Sequence, residues 1–229
     1  MPVNNTIIEH ILNVVAPHHC VGCNEEGSLL CSVCFEAVTE GPTPLCCFCS
    51  APSAMDWLCT SCRTIKKCDA VWVVGSYENE LKNLVHAFKF ERAKAARTVI
   101  AKLLLTTLPY IPTTTIVVSV PTTPQHTRQR GYDHTCLVAS LIATERGYKY
   151  QPLLKRISST RQLGKDRKER FIQAEEAFAV VQPLPRDAQI LLIDDVITTG
   201  ATVQAAARCL KEAGAARVFV LALAHENLK

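Results

Sequence analysis

Residues 190–202 constrain the fold of this chain more than any other segment, and they read Ile-Leu-Leu-Ile-Asp-Asp-Val-Ile-Thr-Thr-Gly-Ala-Thr. The four leading apolar residues predict a short buried strand, and two carboxylates follow where that strand should end. A Thr/Gly loop then opens a helix predicted over residues 203–213. We expect an anion cradle here, because the free N–H groups of the loop and the positive end of the helix dipole point at the same place.

The side chains of this segment indicate which anion it binds. Gly200 lets the backbone approach a ligand closely, and the threonines add hydroxyl donors. Asp194 and Asp195 come directly before the cradle, where they can accept hydrogen bonds from a diol. The alternative is a strand–turn–helix with solvated acids and a helix cap, but a cap needs only one such residue. We therefore predict a ribose 5-phosphate site formed by Asp194, Asp195, Thr198, Thr199, Gly200, Ala201 and Thr202.

The segment resembles the 5-phosphoribosyl-1-pyrophosphate (PRPP) motif of the type I phosphoribosyltransferases. In that motif an apolar strand and two acidic residues precede a Thr-Thr-Gly-x-Thr loop, and every position matches here. The resemblance implies that Asp194 and Asp195 are the catalytic carboxylates, which bind the ribose 2′- and 3′-hydroxyls. It also implies that the loop wraps the 5′-phosphate and that Mg²⁺ accompanies PRPP.

Ten of the twelve cysteines lie between Cys20 and Cys68, mainly in four Cys-x-x-Cys pairs. Thiolates spaced in this way are typical of tetrahedral zinc sites with four cysteine ligands. Disulfides suit secreted mini-domains, whereas no basic residue precedes Arg63 to start a signal peptide; a redox or iron–sulfur role is a further alternative. We predict two structural zinc ions, paired sequentially in the simplest case, with an interleaved arrangement left open. The predicted ligands are Cys20, Cys23, Cys31 and Cys34 for one ion, and Cys46, Cys49, Cys59 and Cys62 for the other.

The composition changes at about Asp69, which predicts an N-terminal helix and double zinc module over residues 1–68 and an α/β domain over residues 69–229. The first part is rich in Pro, Gly and Ser, so we expect metal to replace most of a hydrophobic core. It holds three basic and six acidic residues, a formal −3, which leaves +7 for the rest of a chain with a net charge of +4. Any polyanion should therefore meet the C-terminal domain.

Apolar segments alternate with helical patterns beyond the zinc module. They predict strands at residues 70–77, 115–120, 153–157, 177–181 and 217–223, and helical spacing over residues 81–108 and 135–146. This order favours a mostly parallel sheet covered on both faces, with ligands beyond the carboxyl ends of its strands. An amphipathic segment at residues 7–15 should pack on the zinc module or core, membrane contact being the weaker alternative. No apolar run approaches the roughly 20 residues of a membrane span.

Two basic groups of residues are candidates for phosphate contacts. Arg128 and Arg130 follow the strand at residues 115–120 and suit a pyrophosphate site, because Arg binds phosphate bidentately; an exposed loop is the alternative. Lys89 lies either at this site or, as we favour, on a solvated helix face. A Gly-containing loop that can close over pyrophosphate or contact single-stranded DNA is one interpretation of the second group. A solvated helix capped by Asp166 is the other, and both hold if the loop spans residues 161–165 and the helix starts at Arg167. The cations of this group are Arg161, Lys165, Arg167, Lys168 and Arg170.

The whole chain resembles the ComF family of competence proteins, which join Cys-x-x-Cys zinc knuckles to a phosphoribosyltransferase-like domain. Besides the knuckles and the PRPP motif, the resemblance rests on Tyr77, His86, Lys89, Val120-Pro121, Arg130-Gly131-Tyr132, the stretch from Gln162 to Arg170, and Phe178. One short stretch departs from the family pattern. Many relatives show Arg-Gly-Phe-Asn-Gln where this chain has Arg-Gly-Tyr-Asp-His, which places the negative charge of Asp133 near the expected pyrophosphate loop.

The resemblance implies a PRPP-binding protein of the DNA-uptake machinery, which works in the cytoplasm beside a helicase-like ATPase and handles single-stranded DNA. The alternative is an active phosphoribosyltransferase that moves ribose 5-phosphate from PRPP to a nucleobase-like acceptor. Mg²⁺ with Arg128 or Arg130 would then stabilise the leaving pyrophosphate. Such an enzyme needs a hood over the acceptor, and we expect the zinc module or the segment around Tyr77 to form it. A pure scaffold is a third possibility.

Overall fold

The computed structural model describes residues 18–40, 45–53, 56–90, 93–157 and 177–226. The expected helix at residues 7–15 and the basic segment at 161–170 lie outside the described residues. The helices are α1 Ser32–Thr39, α2 Thr60–Ile65, α3 Asn79–Phe90, α4 Ala93–Thr107, α5 Pro124–Arg130, α6 His134–Arg146 and α7 Ala201–Glu212. The strands are β1 Ala70–Ser76, β2 Ile116–Ser119, β3 Lys149–Tyr150, β4 Leu154–Arg156, β5 Phe178–Val180, β6 Gln189–Ile197 and β7 Arg217–His225.

Five strands form one parallel sheet in the order β1-β7-β6-β2-β3. The long strand β6 lies in the middle, between β7 and β2, and its residues Ile190 to Ile193 are at most 1% exposed. A continuous apolar run is what a strand buried on both faces requires. The predicted mostly parallel sheet is confirmed.

Several predicted elements differ from the structure. Strand β6 does not end before Asp194 but continues through both acids to Ile197, because Val196 and Ile197 remain paired with β7. Strands β4 and β5 pair antiparallel with each other as a separate ribbon. The helical pattern at residues 81–108 corresponds to two helices, α3 and α4.

Alternate side chains of β6 serve opposite faces of the sheet, as the period of a strand requires. Leu191 and Ile193 belong to a cluster with α3, α4 and α6, whereas Ile190 and Leu192 belong to a cluster with α7. Each face therefore has its own apolar core. Within the described ranges, no helix is both long and apolar enough to cross a membrane.

The two cysteine knuckles pack against these two faces. Cys20, Leu29 and Leu30 of the first knuckle join the cluster of α3 and α4. The second knuckle joins the α7 cluster through Cys46, Cys47, Trp57, Leu58 and Cys62. The apolar side chains of the module are thus buried against the sheet rather than in a core of their own. The division into residues 1–68 and 69–229 stays a prediction.

Candidate functional site

The predicted phosphate loop connects β6 to α7. Gly200 has a φ of 71° and is the N-cap of α7, with no side-chain cap bond. The helix begins at Ala201, two residues earlier than expected, so Ala201 and Thr202 lie in its first turn. Thr198, Thr199 and Thr202 are exposed, whereas Gly200 is buried. The loop hydroxyls and the start of a 12-residue helix therefore face solvent together, as an anion cradle requires.

Gly200 is buried because a phenylalanine of the second knuckle covers it. A Cβ atom placed on Gly200 would lie only 2.5 Å from Cε1 and 2.7 Å from Cδ1 of Phe48. The glycine is needed twice over: for its positive φ and for the space that Phe48 fills. Nothing local in the sequence links a knuckle residue to this loop, so Phe48 was not among the predicted site residues.

Asp195 is held by two side chains from other elements. Nζ of Lys89 lies 2.6 Å from its Oδ2, and Nε2 of His134 lies 2.7 Å from the same oxygen. Burial would raise the pKa of Asp195, but the hydrogen bond with His134 and the charge of Lys89 outweigh it and hold the pKa below its ordinary value. Asp195 is therefore an ionised acceptor.

Asp194 has the opposite environment. Asp194 is only 8% exposed, and burial together with the neighbouring charge of Asp195 raises the pKa of its carboxyl well above the ordinary value. The backbone N–H of Asp195, which donates to Oδ1 of Asp194 at 2.9 Å, and the charges of Lys89 and Arg156 oppose this only in part. Two adjacent acids thus differ in character, since one is paired with cations and the other is buried beside a like charge.

The interpretation of Lys89 as part of a solvated helix face is wrong, since its side chain is 22% exposed and reaches Asp195. A signal was present: Lys89 follows the buried Val85 by four residues and so shares its helix face. His134 was not singled out as a site residue. Its signal was the departure from the pattern expected from the resemblance, which has Gln at this position.

The pyrophosphate segment is a helix rather than a loop. Helix α5 begins after Thr123, whose hydroxyl accepts the N–H of His126, and it contains both predicted arginines. Arg128 is exposed and donates from Nε to the carbonyl of Pro124. Arg130 is the last residue of the helix, and its side chain lies outside the described part of the structure.

A cavity of about 540 Å³ lies beside this helix. Its lining residues are Pro121, Thr122, Pro124, Thr127, Arg128, Leu154, Lys155 and Arg156. Three of these are cations and none is acidic. Arg156 donates from Nη1 to the carbonyl of Pro121 and stacks on Phe178 at 5.2 Å. Lys155 and Arg156, which the sequence analysis did not single out, thus join Arg128 at a site suited to an anion.

Asp133 has a structural task that its position in the sequence does not reveal. Its carboxylate caps α6 and accepts the N–H of Thr122 at 2.9 Å and the hydroxyl of Thr135 at 2.6 Å. These bonds fix the cavity wall to the start of α6. The hydroxyl of Thr122 also lies 3.4 Å from Nδ1 of His134, which connects the cavity to Asp195.

Eight of the cysteines form two clusters, and within each cluster the four sulfurs lie within 4.8 Å of one another. The clusters are Cys20, Cys23, Cys31 and Cys34, and Cys46, Cys49, Cys59 and Cys62. The cysteines thus cluster in sequential order, and none of the twelve forms a disulfide.

The sulfur spacing in the clusters fits zinc. Tetrahedral Zn–S bonds of about 2.3 Å imply sulfur–sulfur edges of about 3.8 Å. The Cys23–Cys31 and Cys49–Cys59 sulfurs are each 3.6 Å apart. Among the residues that the structure describes, each cluster consists of cysteine sulfurs alone, which also suits this metal, so both clusters fit structural zinc.

Residues 87–227 match the model of the family described as uracil phosphoribosyltransferase. The competence protein ComFC of Streptococcus pneumoniae is 29% identical over 205 residues, which cover 86% of this chain and 88% of that protein. The ComFC of Bacillus subtilis is 33% identical over 101 residues, or 44% of this chain and 40% of that protein. The DNA utilization protein YhgH of Escherichia coli K12 is 28% identical over 209 residues, covering 85% and 89% of the two chains. The resemblance to the ComF family is confirmed.

One solved structure, described as the allosteric regulatory enzyme of purine biosynthesis, aligns with a TM-score of 0.41 and 20% identity. The alignment covers 55% of this chain and 25% of that enzyme's chain.

Proposed function

Because this chain belongs to the uracil phosphoribosyltransferase family, we propose that it binds PRPP together with Mg²⁺ and serves in the handling of incoming DNA. The observation that carries the proposal is the junction of β6 and α7. There Asp194 and Asp195 lie a few residues before the exposed threonines of a loop that begins a helix. Acceptors for a diol and donors for a phosphate are adjacent in the order that a ribose 5-phosphate requires.

The pyrophosphate end of PRPP is assigned to the cation-lined cavity. Its 540 Å³ lies within the roughly 300–1,000 Å³ of small-molecule sites. Arg156 on its wall is close enough to Asp194 to oppose the rise in the pKa of that carboxyl, and Thr122 reaches His134. The cavity therefore adjoins the acid pair, on the side where Arg128, Lys155 and Arg156 can bind phosphate oxygens.

Lys89 and His134 are compatible with a ligand at Asp195. A carboxylate has about four acceptor positions, so Asp195 can accept a ribose hydroxyl and keep both partners. Lys89 also offsets the negative charge that PRPP brings. Mg²⁺ prefers carboxylate and phosphate oxygens, so the Asp194 and Asp195 carboxylates would hold the ion beside the phosphates, where it would neutralise ligand charge.

A second candidate is catalysis of phosphoribosyl transfer. The bond from C1 to the pyrophosphate oxygen breaks, a bond from an acceptor nitrogen to C1 forms, and the acceptor proton passes to solvent. The observation favouring this reaction is Phe48, which brings the zinc module, one of the two expected hoods over the acceptor, into contact with the phosphate loop. The acceptor is proposed to be nucleobase-like.

Relatives named competence protein and DNA utilization protein support a competence-associated function. We propose a cytoplasmic protein that handles single-stranded DNA beside a helicase-like ATPase. DNA contacts are assigned to the cations of residues 161–170, which lie outside the described residues, and to the neighbouring Lys155 and Arg156. The formal +7 of residues 69–229 favours this side of the chain for a polyanion.

One experiment tests binding and catalysis together. The zinc-loaded chain is titrated with PRPP and Mg²⁺ by calorimetry, then incubated with PRPP and each nucleobase while pyrophosphate is assayed. Binding without pyrophosphate release supports the binding function, and release with one base establishes transfer. The control is Asp187→Asn, an exposed acid before the amino end of β6, the opposite end from the loop. A wild-type chain that does not bind PRPP refutes the proposal.

A further inference from the structure

The contact between Phe48 and Gly200 joins the second zinc knuckle to the phosphate loop. Phe48 lies between Cys46 and Cys49, two ligands of the second cluster, so its backbone position follows from the metal site. The N–H of Cys47 donates to the carbonyl of Trp57, and the N–H of Ser50 donates to the carbonyl of Cys46. These two bonds fix the turn that carries the phenylalanine. Little freedom remains for Phe48 once the four thiolates are gathered.

A second contact ties the same knuckle to helix α7. Lys66 follows α2, which carries the ligand Cys62, and its N–H donates to the carbonyl of Cys62. Nζ of Lys66 lies 5.2 Å from the ring centroid of Phe48 and donates to Oε1 of Gln204 at 3.0 Å. The knuckle therefore holds both the N-cap residue of α7 and its first turns.

The first knuckle touches different elements. Asn83 of α3 donates to the carbonyl of Val21, and Lys102 of α4 lies over the ring of Phe35. Its contacts lie on the opposite face of the sheet from α7. Two knuckles that are each built from two Cys-x-x-Cys pairs thus have different neighbours, and each serves as a control for the other.

We propose that Phe48 is a positioning residue for the phosphate loop, so that anion binding there depends on metal in the second knuckle and not on metal in the first. The inference rests on the proposed function. The loop binds phosphate through N–H groups whose direction depends on the backbone at Gly200, which has a positive φ and a vacant Cβ side. Phe48 fills that side and prevents the loop from relaxing toward it. Removing the ring or loosening the knuckle frees the loop and misdirects its donors.

The first test is a double-mutant cycle between Phe48→Ala and Gly200→Ala. Gly200→Ala incurs the cost of a positive φ in either background, but the clash with Cε1 arises only when Phe48 is present. We expect Phe48→Ala alone to weaken PRPP binding about tenfold. The loss of affinity caused by Gly200→Ala should be at least about fivefold larger when Phe48 is present than when it is replaced by Ala. Phe48→Leu should restore most of the affinity, since it refills the space.

The second test compares Cys49→Ser with Cys23→Ser in the full chain. Both are exposed ligands at equivalent positions of their knuckles. Zinc content should fall by about one ion in each variant. Hydrogen exchange of the peptide covering residues 198–202 should accelerate only in Cys49→Ser, and only this variant should match the affinity loss of Phe48→Ala for PRPP. Loop exchange, rather than affinity, is decisive. The first knuckle contacts α3, which carries Lys89, so Cys23→Ser can change the PRPP affinity without disturbing the loop.

Hydrogen exchange separates this inference from the proposed function. Unchanged loop exchange in both Phe48→Ala and Cys49→Ser overturns the inference even if PRPP binds. Faster exchange in these two variants supports the positioning role even if PRPP does not bind and the proposed ligand is wrong. Should Cys49→Ser fail to fold, Phe48→Ala, which leaves all eight ligands in place, decides the question by the same measurement.

Discussion

Replacing the two adjacent acids one at a time should change stability in opposite directions. Asp194→Asn removes a carboxyl that is buried beside a like charge, whereas Asp195→Asn removes the charge that pairs with Lys89 and His134. Asparagine has nearly the same shape, so packing is preserved. We expect Asp194→Asn to raise the free energy of unfolding and Asp195→Asn to lower it.

The magnitudes follow from the surroundings of each acid. Breaking a buried ion pair costs about 3–5 kcal/mol, but the amide still accepts a hydrogen bond and Lys89 is 22% exposed, so we expect about 2 kcal/mol for Asp195→Asn. For Asp194→Asn a gain on the order of 1 kcal/mol is expected, at the low end of the cost of a poorly solvated polar group. In a chain of 229 residues each kcal/mol shifts Tm by about 2–4 °C.

The pH dependence of the free energy of unfolding tests the sign of each stability change independently. The pKa of Asp195 is lowered by folding, so its stabilisation is present above about pH 4 and is lost as pH falls through the folded value. The pKa of Asp194 is raised, so its destabilisation is absent below about pH 4 and grows as pH rises toward the folded value. The advantage of Asp194→Asn should therefore appear only above that pH.

Urea unfolding of the zinc-loaded chain without ligand, followed by circular dichroism at acidic and neutral pH, measures both effects. Asp187→Asn, at an exposed position, is the matched control and should change little. Equal losses of stability in Asp194→Asn and Asp195→Asn at neutral pH would refute the unequal environments assigned here.

Three further predictions concern ligands and metals. The double variant Asp194→Asn, Asp195→Asn should lose PRPP binding in calorimetry while keeping its circular dichroism, because a hydrogen bond to a charged group contributes about 1.5–3 kcal/mol; unchanged affinity rejects the diol assignment. Metal analysis should find two zinc ions per chain, with chelation unfolding the knuckles, and well under one ion contradicts the two four-cysteine sites. Replacing Lys165, Arg167 and Lys168 by Ala should flatten the salt dependence of single-stranded DNA binding by about 2 in slope, and an unchanged slope places DNA elsewhere.

Local patterns in the sequence predicted the strand, loop and helix of the site. The side chains that contact Asp195 and Gly200 come from distant parts of the sequence, and local patterns did not predict them. The apolar run, the acids and the glycine of residues 190–202 are consecutive, so their strand, loop and helix follow from neighbours. The partner of Asp195 at His134 is 61 positions away, and its placement depends on how α6 packs against β6. The same limit applies to Phe48, whose contact with Gly200 depends on where a knuckle docks.

The spacing of the cysteines predicted the two clusters correctly. The short intervals between Cys-x-x-Cys pairs favour a cluster formed by consecutive pairs, so no long-range contact had to be predicted. The end of β6 was misjudged for the opposite reason. Two acids suggest a strand terminus, but pairing with β7 continues as far as Ile197. Neighbouring strands, not side-chain polarity, decide where a strand in the middle of a sheet stops.

The position of β1 at the edge of the sheet has a consequence for the metal-depleted chain. The N–H of Trp57 donates to the carbonyl of Val71, so the second knuckle occupies a backbone acceptor that would otherwise be open on this edge. An uncovered edge rich in valine, as β1 is, is a template on which strands of other chains can add. Zinc loss should therefore lead to self-association of the chain through the edge of β1. Expression at low zinc should accordingly produce inclusion bodies.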